Sequence, residues 1–536
     1  MTISITIKAL SLGAMIASSA AFTAVAQSRQ DVIIAVGEQG PNSLDTQTPT
    51  SNDYTRLVAL HVYDRLVKHG VKTLEDGTQV YDVTEVLPEL ATSWDISEDG
   101  TQLTFKLRED ATFHDGSPVE AKDVKWSFDR AVAAGGFPLI QMGAGSLTSP
   151  EQFEAVDEHT FRIQVPDGNK LALPDLTTPI PIVINSDLAL EHATDDDPWA
   201  TEWLANNTAG GGAYDVVRWT PGNEIVFQRF DDWKNGDLPA MKTVVYRQIA
   251  SSGTRRALLE SGDADVSVGL PPKDFAELAE DPAITVVGVP KQSAIVNLEM
   301  NVTMPPFDNP KVREAMAYAI PYEAIMDNAF YGRASPMFGA EPGAEYEAAW
   351  PVKSPYDTDL VKAKELLVEA GYADGFESTI YLDLSRATIR EPIALLIQQN
   401  LKEIGVDVSI EKVPGSNWFS KMLEKSMPMA VTSFHAWLDW PEYHFYWTYY
   451  GANNSVFNVA SHVDEALDAQ IQKARFESDP DAYEADLKGI IDTVMTELPK
   501  IPIAQDYMDV AMQNDIDGYV YWFHTFLDFR TVSRAE

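Results

Sequence analysis

The chain predicts an α/β fold divided over more than one domain. Asp31-Val32-Ile33-Ile34-Ala35-Val36-Gly37 is a β-branched run closed by glycine, the pattern of a buried strand. A turn-rich loop at Pro41–Asp45 follows, and then helical spacing of Leu57, Leu60, His61 and Leu66 between Asp53 and Val67. Met429–Phe434 reads as a second buried strand, after which Pro441-Glu442 opens a helix with proline at its first position and Gly451 ends it. At 536 residues, 45% hydrophobic and 10% aromatic, the chain outgrows a single core and carries enough apolar surface for two to four domains.

Residues 1–26 differ from the rest. Lys8 is their only charge, Ala9 to Ala24 is small and apolar, and Ala24-Val25-Ala26 precedes Gln27. This is a secretory signal peptide with an A-x-A cleavage site, too short and too rich in alanine and serine for a membrane anchor. Lys and Arg number 40 against 81 Asp and Glu, a net charge of −41 that repels nucleic acid and anionic membranes. Cysteine is absent, which removes thiol nucleophiles, thiolate metal sites and the residue a lipid anchor needs. A protein diffusing freely in a Gram-negative periplasm is expected.

From Leu87 to Ala131 the pattern becomes specific. Asp99-Gly100 is a hairpin turn between Thr92–Ile96 and Gln102–Leu107, and Asp115-Gly116 turns the chain again. Ser117…Glu120 has capping-box spacing for a helix start. Leu87-Pro88, Ala91, Ser93-Trp94, Asp99-Gly100, Phe105, Leu107-Arg108, Phe113-His114-Asp115-Gly116, Ala121 and Asp123-Val124 together resemble the signature of the family 5 extracellular solute-binding proteins, the peptide- and nickel-binding receptors of ABC importers. Further resemblances follow in the family's order: Gly210-Gly211-Gly212-Ala213-Tyr214, Gly262-Asp263-Ala264-Asp265-Val266, Val312-Arg313-Glu314-Ala315 and Gly405-Val406-Asp407-Val408. Pro321 stands where the family has aspartate, and Gly211 where it usually has threonine.

The resemblance implies a two-lobed periplasmic-binding-protein-like α/β fold (type II, cluster C) with an extra domain inserted in the first lobe. On that template lobe I takes 31–62, 209–288 and 505–536, the inserted domain 63–208, and lobe II 289–504. It also implies a function: capture of short peptides between the lobes and delivery to the permease of an ABC transporter, whose ATPase is a separate subunit. No enzyme activity, cofactor or metal is expected, and the receptor is expected to be a monomer. The alternative cargo in the same role is an opine, cyclic dipeptide, glycoside, betaine-like amine or nickel chelate. A secreted glycoside or peptide hydrolase is the alternative of another class.

The candidate site is Phe434–Tyr450, where nine of seventeen residues are aromatic. Asp439 falls between a strand end and a helix start, flanked by Trp437 and Trp440; a carboxylate between aromatic faces suits a cation. The same residue reads equally as a helix cap. The family's peptide receptors place a tryptophan and then an aspartate here, the aspartate pairing the peptide ammonium, so the resemblance carries that role to Asp439. Trp437 stands one residue closer to the aspartate than in the family. Asn417-Trp418 falls where the family has a pocket-lining tryptophan, His435 and Tyr443 flank the aspartate, and Arg386 is the candidate partner for a peptide carboxylate. No two of the nine histidines have the i, i+4 spacing of a helical metal site, and His435 and His444 read as structural or ligand-lining. Asp195-Asp196-Asp197 reads as a solvated helix start, and Gly143-Ala144-Gly145-Ser146-Leu147 lacks a nucleophile elbow.

Overall fold

The computed structural model describes residues 29–48, 51–52, 54–290, 294–435, 437–451, 456–522 and 527–535. The expected signal peptide at 1–26, Asp53, Ala436 and His524 lie outside the described residues.

Three sheets carry the fold. The first has seven strands in the order Ile284–Val287, Val510–Gln513, Val266–Val268, Val32–Gly37, Thr243–Gln248, Glu224–Arg229, Tyr214–Thr220. Val32–Gly37 lies at its centre, parallel to both neighbours, as a strand buried on both faces should. The second has six strands in the order Ala334–Pro336, Lys500–Asp506, Ile295–Met300, Met429–Phe434, Phe376–Asp383, Val406–Val413. The third is an antiparallel sheet of four, Ala91–Ile96, Gln102–Leu107, Thr160–Gln164 and Phe153–Asp157, each strand pairing with the next. Its first two strands are the hairpin read at Asp99-Gly100, where Gly100 takes φ 70°, the conformation that glycine adopts without strain. Each sheet has its own apolar core.

The chain leaves the first sheet after Val287 and enters the second at Ile295; it leaves the second after Asp506 and re-enters the first at Val510. The two connections meet at an antiparallel bridge between Pro290 and Tyr507.

Two local expectations need correction. The helix expected over Asp53–Val67 runs only from Thr55 to Val62, and Val67–Thr73 is a strand paired with Gln79–Pro88. The helix stops because Val62 is met by the glycine turn: Gly212 N donates to Val62 O at 2.8 Å, and a Cβ on Gly210 would fall 1.9 Å from that oxygen. Beyond it Asp64 and Arg65 turn inward, Asp64 accepting from Trp233 and Asn235 and Arg65 pairing with Glu89 at 3.0 Å. The capping box also moves. Ser117 is engaged by Asp115, and the helix Ala121–Ala133 is boxed instead by Glu120 and Asp123.

Candidate functional site

Phe376–Asp383 and Met429–Phe434 are parallel neighbours whose carboxyl ends emerge together, the position where an open α/β sheet receives ligands. Past the first strand, Asp383 accepts from Ser385 N and Oγ at 2.9 and 2.8 Å and so caps the turn Leu384–Arg386. The helix Ala387–Glu403 then begins, with Arg390 in its first turn. The second strand ends in Ser433 and Phe434, with His435 just past it. Arg390 Nη2 donates to Ser433 Oγ at 2.8 Å and ties the two strand ends together. Helix Gly415–Glu424 contributes Trp418 and Met422, and helix Pro441–Thr448 contributes Tyr443 and Trp447; each pair is spaced i, i+4 and so shares one helix face.

These groups enclose a cavity of about 230 Å³. From the other side it is closed by Arg56 on helix Thr55–Val62 and by Phe137 and Gln141 on helix Gly136–Ala144. Trp418, Phe434, Trp437, Tyr443, Trp447 and Phe457 make its aromatic walls; Arg56, Arg386 and Arg390 supply guanidinium groups, and Glu299 and Asp383 supply carboxylates. A second space of about 90 Å³ shares Arg386, Arg390, Ser433 and His435 with it and extends to Asp506–Asp509 at the connection between the sheets.

The two halves of the molecule touch directly around the cavity. Trp437, 5% exposed, meets Phe137 edge to face at 5.1 Å between ring centroids, and the Arg56 guanidinium lies 4.6 Å over its ring. Tyr443 Oη donates to Gln141 Oε1 at 2.9 Å, and Gln141 Nε2 donates to the buried Asp175 at 2.6 Å. Lys170 Nζ lies 3.0 Å from Glu442, and Arg475 Nη2 donates to Ala144 O at 3.2 Å. This is a closed arrangement.

The carboxylates at the cavity are already engaged by protein groups. Glu299 pairs with Lys500 at 2.9 Å and accepts from Thr432 Oγ1 at 2.5 Å and Ala460 N at 3.2 Å. Burial lowers the Lys500 pKa despite the opposing pull of Glu299. His435 Nε2 lies 3.1 Å from Asp506 Oδ1. Burial works to raise the Asp506 pKa, but His435, with Arg386 and Arg390 in reach, holds it below the ordinary carboxylate value.

Of the residues singled out in the sequence, Trp437, Trp418, His435, Tyr443 and Arg386 line the cavity. Asp439, Trp440 and Asn417 are not among its lining residues. Trp440 packs beside the cluster of Leu438, Tyr443 and Trp447, and Asn417 faces outward from its helix. Asp439 lies toward Tyr81, whose hydroxyl pKa is pushed well up by burial and further by the Asp439 charge. The helix cap after it is Trp440, which makes no side-chain capping bond. Glu442 is fully buried between Lys170 and Tyr483, and Asp197 accepts from Thr201 N and Glu202 N, the first two amides of helix Thr201–Leu204. Among the described residues no group of three or more His, Cys, Asp or Glu is placed to hold a metal ion.

Arg390 could have been found in the sequence, four residues after Arg386 in a helical stretch. Arg56 and Phe137 carried no signal, since only the meeting of the two halves brings them to Trp437.

A sheet-end cavity enclosed between two α/β halves joined by paired connections defines a two-lobed binding protein of the periplasmic peptide-binding type. Residues 85–456 match the family described as bacterial extracellular solute-binding proteins, family 5 Middle, and the chain belongs to that family. It is 26% identical over 531 residues to the glutathione-binding protein GsiB of Pectobacterium atrosepticum, covering 95% of each chain. The ABC transporter-associated periplasmic binding protein DppA from Helicobacter pylori, in complex with peptide STSA, superposes with TM-score 0.79 at 26% identity, over 96% of this chain and 100% of that one. The binding protein AgaA from A. tumefacien R10, in complex with agropinic acid, gives TM-score 0.77 at 26% identity over 94% and 99%.

Proposed function

We propose that this protein is the receptor of an ABC importer, capturing a short peptide between its lobes and presenting the closed form to a permease. The observation that carries this reading is the burial of Trp437 against Phe137 and Arg56, which shuts a cavity of about 230 Å³ from the side opposite the sheet. A ligand in such a space meets walls from both halves, and hinge motion at the connections that carry Pro290 and Tyr507 admits and releases it. The three sheets support division into a first lobe, an inserted domain and a second lobe; the second sheet continues to Asp506, two residues past the boundary taken from the family template. Export through the signal peptide, free diffusion in the periplasm without a lipid anchor, and a monomeric state belong to the same reading. So does the absence of turnover and of any nucleic-acid partner.

The test is native mass spectrometry of the protein as purified, before and after denaturation. Released masses that fragment as peptides of two to five residues support a peptide receptor. One sharp non-peptide mass keeps the transport role and moves the cargo to the second reading, an acid of the opine kind, which the likeness to the agropinic acid receptor favours. Chemical conversion of the bound species by the protein overturns the receptor role.

A further inference from the structure

The cavity holds a buried cation that the protein leaves incompletely satisfied. Arg390 is 7% exposed and faces both the larger and the smaller space. Its Nη2 donates to Ser433, but among the described residues Nη1 makes no hydrogen bond; the Asp383 Oδ2 beside it forms an ion pair at 4.0 Å, beyond hydrogen-bond reach. Burial, with Arg386 close by, brings the Arg390 pKa down to about 10, so the group is still charged at neutral pH. A buried charged donor without an acceptor is costly, and a carboxylate is the acceptor that a planar guanidinium fork fits best. The Trp418 ring lies 6.0 Å from its Cζ and helps to fix the direction of the fork.

The acids of the cavity offer little in return to a ligand cation. Glu299 is taken by Lys500, Thr432 and Ala460; Asp383 accepts from Ser385 through Oδ1 and faces Arg390 through Oδ2; in the adjoining space Asp506 is met by His435 and Asp509 by Arg333. In a chain of net charge −41 this cavity has three guanidinium groups on its wall.

We propose that the cargo carries an acid group that accepts from Arg390 Nη1 at the wall between the two spaces, and that it needs no free ammonium group. The shared chemistry is an N-substituted amino acid, reached either as an N-blocked small peptide or as an opine-type acid. The inference rests on the receptor reading and specifies its cargo; the aromatic walls supply the apolar contact for the remainder of the molecule.

The experiment is a thermal-shift and calorimetry panel on the full chain stripped of bound solute. The probes are Ala-Phe, N-acetyl-Ala-Phe, N-acetyl-Ala-Phe amide, and N-(1-carboxyethyl)phenylalanine as the opine-type acid. The inference expects at least one N-substituted acid to bind, no weaker than free Ala-Phe, and the amide to bind at least ten-fold more weakly than its acid. N-acetyl-Ala-Phe and the opine-type acid separate the two sources. Arg390→Gln should weaken the acid at least ten-fold, with Arg390→Lys recovering part of the loss. A ligand contact is separated from a merely structural role by the amide: Arg390→Gln should weaken the acid while leaving the affinity of its amide unchanged, whereas a structural arginine would weaken both alike. Equal binding of acid and amide, binding of the free-amine peptide alone, or binding of none of the acids overturns the inference. In the first two outcomes the receptor reading stands, whereas turnover of a probe removes that reading itself.

Discussion

Lys170 Nζ lies 3.0 Å from Glu442 Oε1 and 3.8 Å from the centroid of the Tyr483 ring, while Glu442, fully buried, also accepts from Tyr483 Oη at 2.6 Å. Lys170 belongs to the segment that follows the third sheet, Glu442 to helix Pro441–Thr448 and Tyr483 to helix Pro480–Glu497. The pair therefore bridges the two halves in the closed arrangement. None of the three residues lines the cavity, so a change at the pair leaves the cavity wall intact.

Lys170→Met leaves the Glu442 charge buried without its cation, a change that costs the closed form more than the open one, where water reaches Glu442. We expect ligand dissociation to quicken about ten-fold or more, equivalent to at least about 1.4 kcal/mol of closed-state stability. Stopped-flow fluorescence measures it; an unchanged dissociation rate would show that the pair does not hold the lobes.

Asp175 predicts a pH dependence. Burial pushes its carboxyl pKa from 3.8 up to about 8, against the hydrogen bond from Gln141. Between those values the folded chain keeps a proton that the unfolded chain has lost, so this group makes stability fall as pH rises from about 4 to about 8, by up to about 1.4 kcal/mol per pH unit. Asp175→Asn removes the contribution. Its thermal midpoint should fall less between pH 5 and pH 8 than that of the parent chain, and parallel curves would count against a protonated Asp175.

Lys500 and Glu299 have side chains 3% and 4% exposed. Lys500→Met strands the Glu299 carboxylate, although Thr432 and Ala460 still donate to it, and should cost about 3 kcal/mol in chemical denaturation. Adding Glu299→Gln should recover part of that loss. A double variant as unstable as the single one would locate the effect in packing and not in charge.

Much of the fold was legible because it rests on local rules. Asp99-Gly100 between alternating strands, proline at the start of helix Pro441–Thr448, and the apolar run Met429–Phe434 each specify their element within a few residues. The errors came from long-range packing. The early helix ends at Val62 because Gly210 and Gly212, some 150 residues onward, press on its last carbonyl. The site divides the same way. Trp437, Trp418, His435, Tyr443 and Arg386 were recognisable at strand and helix ends, whereas Arg56 and Phe137 come from helices Thr55–Val62 and Gly136–Ala144, some 300 residues earlier, and share no spacing with them. The direction of Asp439, toward Tyr81, likewise depends on how the inserted segment packs.

Asp439 therefore gives a discriminating prediction. As an amine anchor inside the ligand site, its substitution by Asn would cost roughly 2–5 kcal/mol in affinity for an amine-bearing ligand. With Asp439 off the cavity wall and Arg390 on it, we expect Asp439→Asn to change affinity less than about three-fold, well under 1.4 kcal/mol. Isothermal titration with the same ligand on both variants decides between them.

The central claim is that the two lobes shut on a small solute through Trp437, Tyr443 and Lys170. Small-angle X-ray scattering of the stripped protein, before and after its own solute is returned, tests this most directly. The account predicts a smaller radius of gyration with solute, and a curve that then matches the closed structure. Full binding by calorimetry with an unchanged scattering curve would contradict it.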